Sequence, residues 1–284
     1  MRKGKALLGF MSWPEALSFF QADCAIGDTP EPELKAQWER STKVIEELPH
    51  FEQRELEVEE VPDNCREQLE VVANTPLFKS AMAQKPYSFK LVPIDELIAF
   101  QKYVDVTYAG DITKEVKSPE DIAAAINISL PPKIEERFEI QFDQQTMSAT
   151  ITSFRRNLFI TGFSAGQADP AQAPSVSFLI GAGANYVQVV KLRGRYFLKN
   201  GYHRVYSLRA IGFETVPCAL IEGADFGDTG AARPGFFPED LLFSAKPPLF
   251  NYFFVDGLAA EVTLKPKMKI IRIRAEDFLV PYTE

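Results

Sequence analysis

Residues 196–222, YFLKNGYHRVYSLRAIGFETVPCALIE, decide the fold. A predicted strand runs into Asn200-Gly201, a short helix opens at Tyr202, and a second predicted strand follows from Thr215. Glycine after asparagine supplies the positive-φ position that such a turn needs. Val205, Leu208 and Ile211 recur every three residues, giving the helix an inner face that Gly212 should end. One of the chain's 2 histidines, His203, stands beside Arg204 in the first turn of that helix. Helix N-termini leave backbone N–H groups unpaired and carry partial positive charge, so a glycine followed by His-Arg suits an anion. Arg204 would add a planar fork of donors matched to phosphate oxygens.

Each residue also has a purely structural role open to it. Gly201 could serve a hairpin turn. His203 could be a packed helix residue bonded to backbone, and Arg204 could pair with a nearby acid. Tyr202 could lie in the core or stack on a base. Arg193 and Arg195 occupy alternate positions facing the same way, as accessory phosphate ligands or as solvated side chains.

Asn200-Gly201-Tyr202-His203-Arg204, followed by Ser207, Gly212 and Val216-Pro217, resembles the ParB/sulfiredoxin superfamily. The corresponding turn reads Gly-Glu-Arg-Arg in ParB-type domains and Gly-Cys-His-Arg in sulfiredoxins. In both branches it cradles nucleotide phosphates. The resemblance therefore implies nucleotide binding at Asn200, Gly201, Tyr202, His203, Arg204 and Ser207, with a nucleoside triphosphate such as ATP or CTP as ligand and Mg²⁺ as its accompanying ion. The sulfiredoxin nucleophile falls at Tyr202, which has no thiol, so sulfiredoxin chemistry is disfavoured. Upstream, Lys90-Leu-Val-Pro-Ile-Asp-Glu-Leu97 with Gln101 is similar to the start of a ParB-like domain. Ser118-Pro119-Glu120-Asp121 reads as a helix start with Ser118 as N-cap. Ile122, Ala125, Ile126 and Leu130 continue that helix.

Phosphoryl transfer works by positioning and charge neutralisation, usually with Mg²⁺ and a residue that orients the nucleophile. The candidate catalytic residues are His203, Asp95 and Glu96, with Asp105 nearby in sequence. The resemblance leaves three outcomes open: an Mg²⁺-dependent phosphotransferase or nucleotide hydrolase, a non-catalytic nucleotide- or protein-binding module, and a ParB-like nuclease or DNA-binding protein. A net charge of −8 argues against nucleic acid as the partner. A partition protein would also need a helix-turn-helix module after the turn, and residues 224–284 offer only a Gly/Pro-rich stretch, a short apolar segment and a predicted strand. A Ser-His-Asp hydrolase lacks its G-x-S-x-G elbow. Gly181-Ala-Gly-Ala-Asn185 lacks the Walker lysine and reads as a turn.

Composition fits a globular chain, since 46% hydrophobic and 25% charged residues among 284 are enough for a large core. The 23 phenylalanines spread along the whole sequence, as core or partner-interface residues rather than one binding box. No apolar run is long enough to span a bilayer. Cys24, Cys65 and Cys218 are far apart, without C-x-x-C spacing, which points to a reducing compartment such as the cytoplasm and away from zinc. Residues 137–163 alternate polar and apolar and predict a meander of strands; Ser164 to Ser175 predicts a loop. Lys265 to Arg274 predicts a wet edge strand whose phase slips at Ile270-Ile271, as a bulge would cause. The expected fold is α+β: a helical N-terminal region over 1–87, a ParB/sulfiredoxin-like core over 88–223 with a β-rich insertion at about 133–186, and a C-terminal extension over 224–284 packed on the core.

Overall fold

The computed structural model describes residues 2–82, 85–112, 116, 118–133, 138–154, 158–166, 175–183 and 185–281. The chain is α+β and divides into two compact units. The first comprises residues 1–132 with 185–266, and the second comprises 133–184 with 267–284.

The first unit starts with strand β1 (Arg2–Ala6), helices α1 (Trp13–Asp23) and α2 (Glu31–Glu46), and the two-residue strand β2 (Glu59–Glu60). Helices α3 (Arg66–Asn74) and α4 (Pro76–Met82) precede strands β3 (Tyr87–Pro93) and β4 (Tyr103–Asp105), then helices α5 (Val106–Gly110) and α6 (Ile122–Ser129). The second unit interrupts here with β5 (Glu139–Asp143), β6 (Ser148–Ser153), β7 (Leu158–Gly166) and β8 (Ser175–Ala182). The first unit resumes as β9 (Gln188–Leu192), β10 (Arg195–Asn200), α7 (Tyr202–Ala210), β11 (Thr215–Glu222), α8 (Glu239–Leu242) and β12 (Ala260–Leu264). Strand β13 (Lys269–Arg274) returns to the second unit.

The first unit's larger sheet has the order β10-β9-β11-β3-β2, with β11 parallel to β9 and the other neighbours antiparallel. Strands β9, β10 and β11 read as near-continuous apolar runs because both their faces are buried. Their core includes Phe197, Phe250, Phe253 and Tyr186, each fully buried. A smaller sheet, β12-β1-β4, is antiparallel throughout. The β9–β10 hairpin turns through Arg193 and Gly194, with φ of 50° and 74°, the positive values that a tight primed turn requires. Arg195 departs from both roles considered for it. It is buried and donates to the carbonyls of Leu242 (2.7 Å) and Ser244 (3.0 Å), with its guanidinium over the rings of Phe51 and Phe243. Arg193 pairs with Glu239 at 3.0 Å and also lies over Phe243.

The N-terminal region is not wholly helical, since it opens with β1 at the centre of the smaller sheet. The helical stretch from Arg66 to Met82 is broken at Thr75, because Pro76 has no N–H to donate and restarts the chain as α4. Helix α6 begins later than predicted. Asp121, not Ser118, is its N-cap, accepting from the Ala124 N–H at 2.9 Å.

The second unit contains the antiparallel sheet β13-β6-β5 and the two-stranded ribbon β7-β8. Residues 164–166 extend β7 and Ser175 opens β8, so the predicted loop contracts at both ends; 167–174 lie outside the described residues. Gly181 and Ala182 end β8 rather than forming a turn. Lys265–Arg274 is not one strand. Leu264 ends β12 and Lys269 begins β13, whose register against β6 runs without a bulge. The phase slip in the sequence thus reflects a strand with Lys269, Ile271 and Ile273 on one face and Ile270, Arg272 and Arg274 on the other. No helix among the described residues is long and apolar enough to cross a membrane.

Candidate phosphate-binding turn

Gly201 joins β10 to α7 in the left-handed region, with φ of 94°. A Cβ there would lie 2.7 Å from Val187 Cγ2 and 3.0 Å from Val187 Cα, so both conformation and close approach demand glycine. The Gly201 N–H donates to Asn200 Oδ1 at 2.8 Å. The Gly201 carbonyl accepts from the N–H groups of Arg204 (2.9 Å) and Val205 (3.0 Å), which starts the helix. Val187 itself is tied down by its N–H to the Ser129 carbonyl at 2.8 Å. The start of α7 is therefore fixed by the end of α6 and the entry to β9.

His203 is part-buried in the first turn of α7. Its Nε2 accepts from the Asp105 backbone N–H at 3.2 Å, which assigns the proton of the neutral ring to Nδ1. The ring meets Tyr108 edge-to-face at 5.1 Å. Asp105 is held in turn, since its carboxylate accepts from Arg2 Nε at 2.8 Å and from the Tyr108 N–H at 3.0 Å, capping α5. Lys3 N–H donates to Thr107 Oγ1 at 2.7 Å and closes the same corner. Arg2 and Tyr108 carry no signal in the sequence, because their proximity to His203 depends on β1 pairing with a strand about a hundred residues away.

Arg204 is part-buried, and one of its Nη1 donors goes to the Ile128 carbonyl in the last turn of α6. A cation there complements the negative end of that helix. Lys199, the second residue before the turn, is half-buried, and burial together with nearby Lys85 and Arg233 holds its ammonium below the usual lysine range. Four residues of the turn thus keep a place near the surface or in the backbone of the site: Asn200, Gly201, His203 and Arg204.

Two predicted ligands do not. Tyr202 takes the core position open to it, with its hydroxyl accepting from the N–H groups of Phe100 (2.7 Å) and Gln101 (3.3 Å); burial pushes the phenol's pKa up. Ser207 is buried and donates to the Arg204 carbonyl at 2.8 Å, so its hydroxyl is turned into its own helix. The predicted carboxylates are also elsewhere. Asp95 receives Arg209 bidentately, Nε at 2.7 Å and Nη2 at 2.9 Å. Arg209 is six residues beyond His203, about 9 Å along the helix axis. Glu96 is paired with Arg54. Asp105 is the carboxylate beside His203, and it is already bound to Arg2.

The described residues contain no group of three or more His, Cys, Asp or Glu side chains arranged to hold a metal ion. Mg²⁺ needs carboxylate or phosphate oxygens in octahedral geometry, and the three carboxylates named above are taken by arginines. The site residues therefore do not form a Mg²⁺ centre of their own. No protein-family model, curated protein or solved structure matches the chain.

Proposed function

We propose that the Asn200–Arg204 turn binds the phosphates of a nucleoside triphosphate, ATP or CTP, as part of a ParB/sulfiredoxin-like core. The observation that carries this reading is Gly201: a positive-φ glycine wedged against Val187 that opens a nine-residue helix with His203 and Arg204 in its first turn. The order β3, α6, the β9–β10 hairpin, α7 and β11 in one unit is also the order that such a core requires. Backbone N–H groups at the start of α7, the His203 Nδ1–H and the Arg204 guanidinium supply the donors for phosphate oxygens.

The arrangement favours a binding module over an enzyme. Phosphoryl transfer needs a group that orients the nucleophile beside the phosphate, and Asp95 and Glu96 are held in ion pairs away from His203. Calorimetric titration with ATP, CTP, GTP and their diphosphates, with and without Mg²⁺, tests the proposal on the wild type, His203→Gln and Arg204→Ala. Loss of one charge-assisted phosphate contact should weaken binding by about ten- to a hundredfold. A folded wild type that binds none of these nucleotides overturns it, and Mg²⁺-dependent turnover overturns the binding-module part alone.

A further inference from the structure

Among the described residues, 15 of the 19 large apolar side chains that are exposed belong to the second unit. That unit also carries eight basic and eight acidic residues, so the whole net charge of −8 resides in the first unit. A neutral, apolar unit on an acidic chain is suited to meeting another protein surface, because no net charge opposes its approach.

The sheet β13-β6-β5 shows what that surface is. Its register places Glu139, Gln141 and Asp143 of β5 on the same face as Ile270, Arg272 and Arg274 of β13. The opposite face carries Ile140 and Phe142 on β5, Ile151 in the middle, and Lys269, Ile271 and Ile273 on β13. The sheet is thus mainly apolar on one face and mainly polar on the other, with acids along one edge and arginines along the other, two strand spacings or about 10 Å apart. Every residue of β5 is exposed, Ile140 and Phe142 at 59% each. Both outer strands are edges among the described residues. Neither carries a proline within its span, and the charges that both strands carry oppose pairing with a like edge.

We propose that the second unit is a self-association module in which the β5 edge of one copy pairs with the β13 edge of a second copy. A parallel pairing, the orientation that keeps the polar faces of the two copies on one side, sets Glu139 beside Arg272 of the second copy, Ile140 beside Ile273 and Gln141 beside Arg274. Charge meets opposite charge on one face, and the apolar face becomes continuous across six strands. The two symmetric alternatives oppose like charges. β5 on β5 sets Glu139 against Asp143, and β13 on β13 sets Arg272 against Arg274, which is unfavourable for directly opposed residues. The contacts already made by these groups are weak competitors: Arg274 reaches Glu276 at 3.7 Å with both side chains more than half exposed, and Asp143 is bonded within its own hairpin turn. An edge-to-edge contact of unlike strands closes only if both edges are used reciprocally, and otherwise extends.

Sedimentation velocity of the full chain over a concentration series tests this with two charge-reversed variants, Glu139→Lys/Gln141→Lys and Arg272→Glu/Arg274→Glu. The wild type should associate with concentration, and each variant alone should sediment as a monomer. An equimolar mixture of the two variants should associate again, because each then meets an oppositely charged edge. Far-UV circular dichroism and thermal unfolding of each variant report that the substituted, exposed positions leave the fold intact. Amide hydrogen exchange supplies a measurement free of substitutions: β5 and β13 of the wild type should gain protection as concentration rises. A wild type that is monomeric throughout, variants that associate as the wild type does, or a mixture that stays monomeric would each overturn the proposal. Wild-type association without added protection in β5 and β13 would do so as well.

Discussion

Both units carry phenylalanines on their strands, and those side chains end in opposite states. In the first unit β9, β10 and β11 lie among strands and helices that cover both faces, and Phe197, Phe250 and Phe253 disappear completely from solvent. In the second unit Phe142, Phe163 and Phe178 remain at 43–75% exposure. The difference is one of closure. A five-stranded sheet with crossover helices can bury its apolar residues internally, whereas a three-stranded sheet and a two-stranded ribbon have too few layers to do so.

Truncating one phenylalanine in each unit should break that comparison most visibly. Phe250→Ala should lower the unfolding free energy by about 3–5 kcal/mol, since it empties a fully buried site. Phe163→Ala, 75% exposed, should change it by less than about 0.5 kcal/mol. Urea unfolding of the two variants reads both numbers, and equal losses would mean that the second unit is as tightly packed as the first. Next in size is Gly201→Ala, where a positive φ and the contact with Val187 should cost about 1–3 kcal/mol and abolish nucleotide binding in the same titration. Removing the Arg209–Asp95 pair by Asp95→Asn should cost about 0.2–1 kcal/mol, because both side chains are partly solvated, and leave nucleotide affinity unchanged. A large loss of affinity there would restore Asp95 to the site.

The smallest effect is on acid stability. A hydrogen bond from Lys85, then one from the Ala224 N–H, lowers the Asp228 carboxyl from 3.8 to about 2. The folded-state value is depressed, so this contribution is present above about pH 3.8 and is lost as pH falls towards 2. Lys85→Met should therefore flatten the fall in melting temperature between those two values. A wild type and variant with parallel profiles would remove Lys85 as the cause.

Local rules made part of this molecule legible in sequence. Asn200-Gly201, the three-residue spacing of Val205, Leu208 and Ile211, and the strand from Thr215 are short-range signals, and α7 and β11 lie where they point. The alternation around Phe138–Phe142 and Thr150–Phe154 likewise corresponds to β5 and β6. What was not legible depends on distant partners. Arg2-Lys-Gly-Lys-Ala6 has no strong strand pattern, yet it is the central strand of a sheet whose other members begin at Tyr103 and Ala260. Asp105 could be suspected as a carboxylate, but its place beside His203 follows from that same sheet. Asp95 and Glu96 looked available because their partners, Arg209 and Arg54, are 114 and 42 residues away in sequence. Tyr202 and Ser207 could not be separated from His203 and Arg204 until the inner side of α7 was known.

The bond from the Val187 N–H to the Ser129 carbonyl has a further consequence. It holds the chain leaving the first unit next to the chain returning to it, although 57 residues separate the two bonded groups in sequence. The intervening segment is thus a graft on a pre-closed junction. A linker of a few residues, of the kind that ordinarily joins neighbouring elements, could replace residues 133–184, and ending the chain at Pro266 would remove the remainder of the second unit. Such a minimal protein would keep the whole of the turn at Gly201, and the same junction could accept a different inserted domain in place of the natural one.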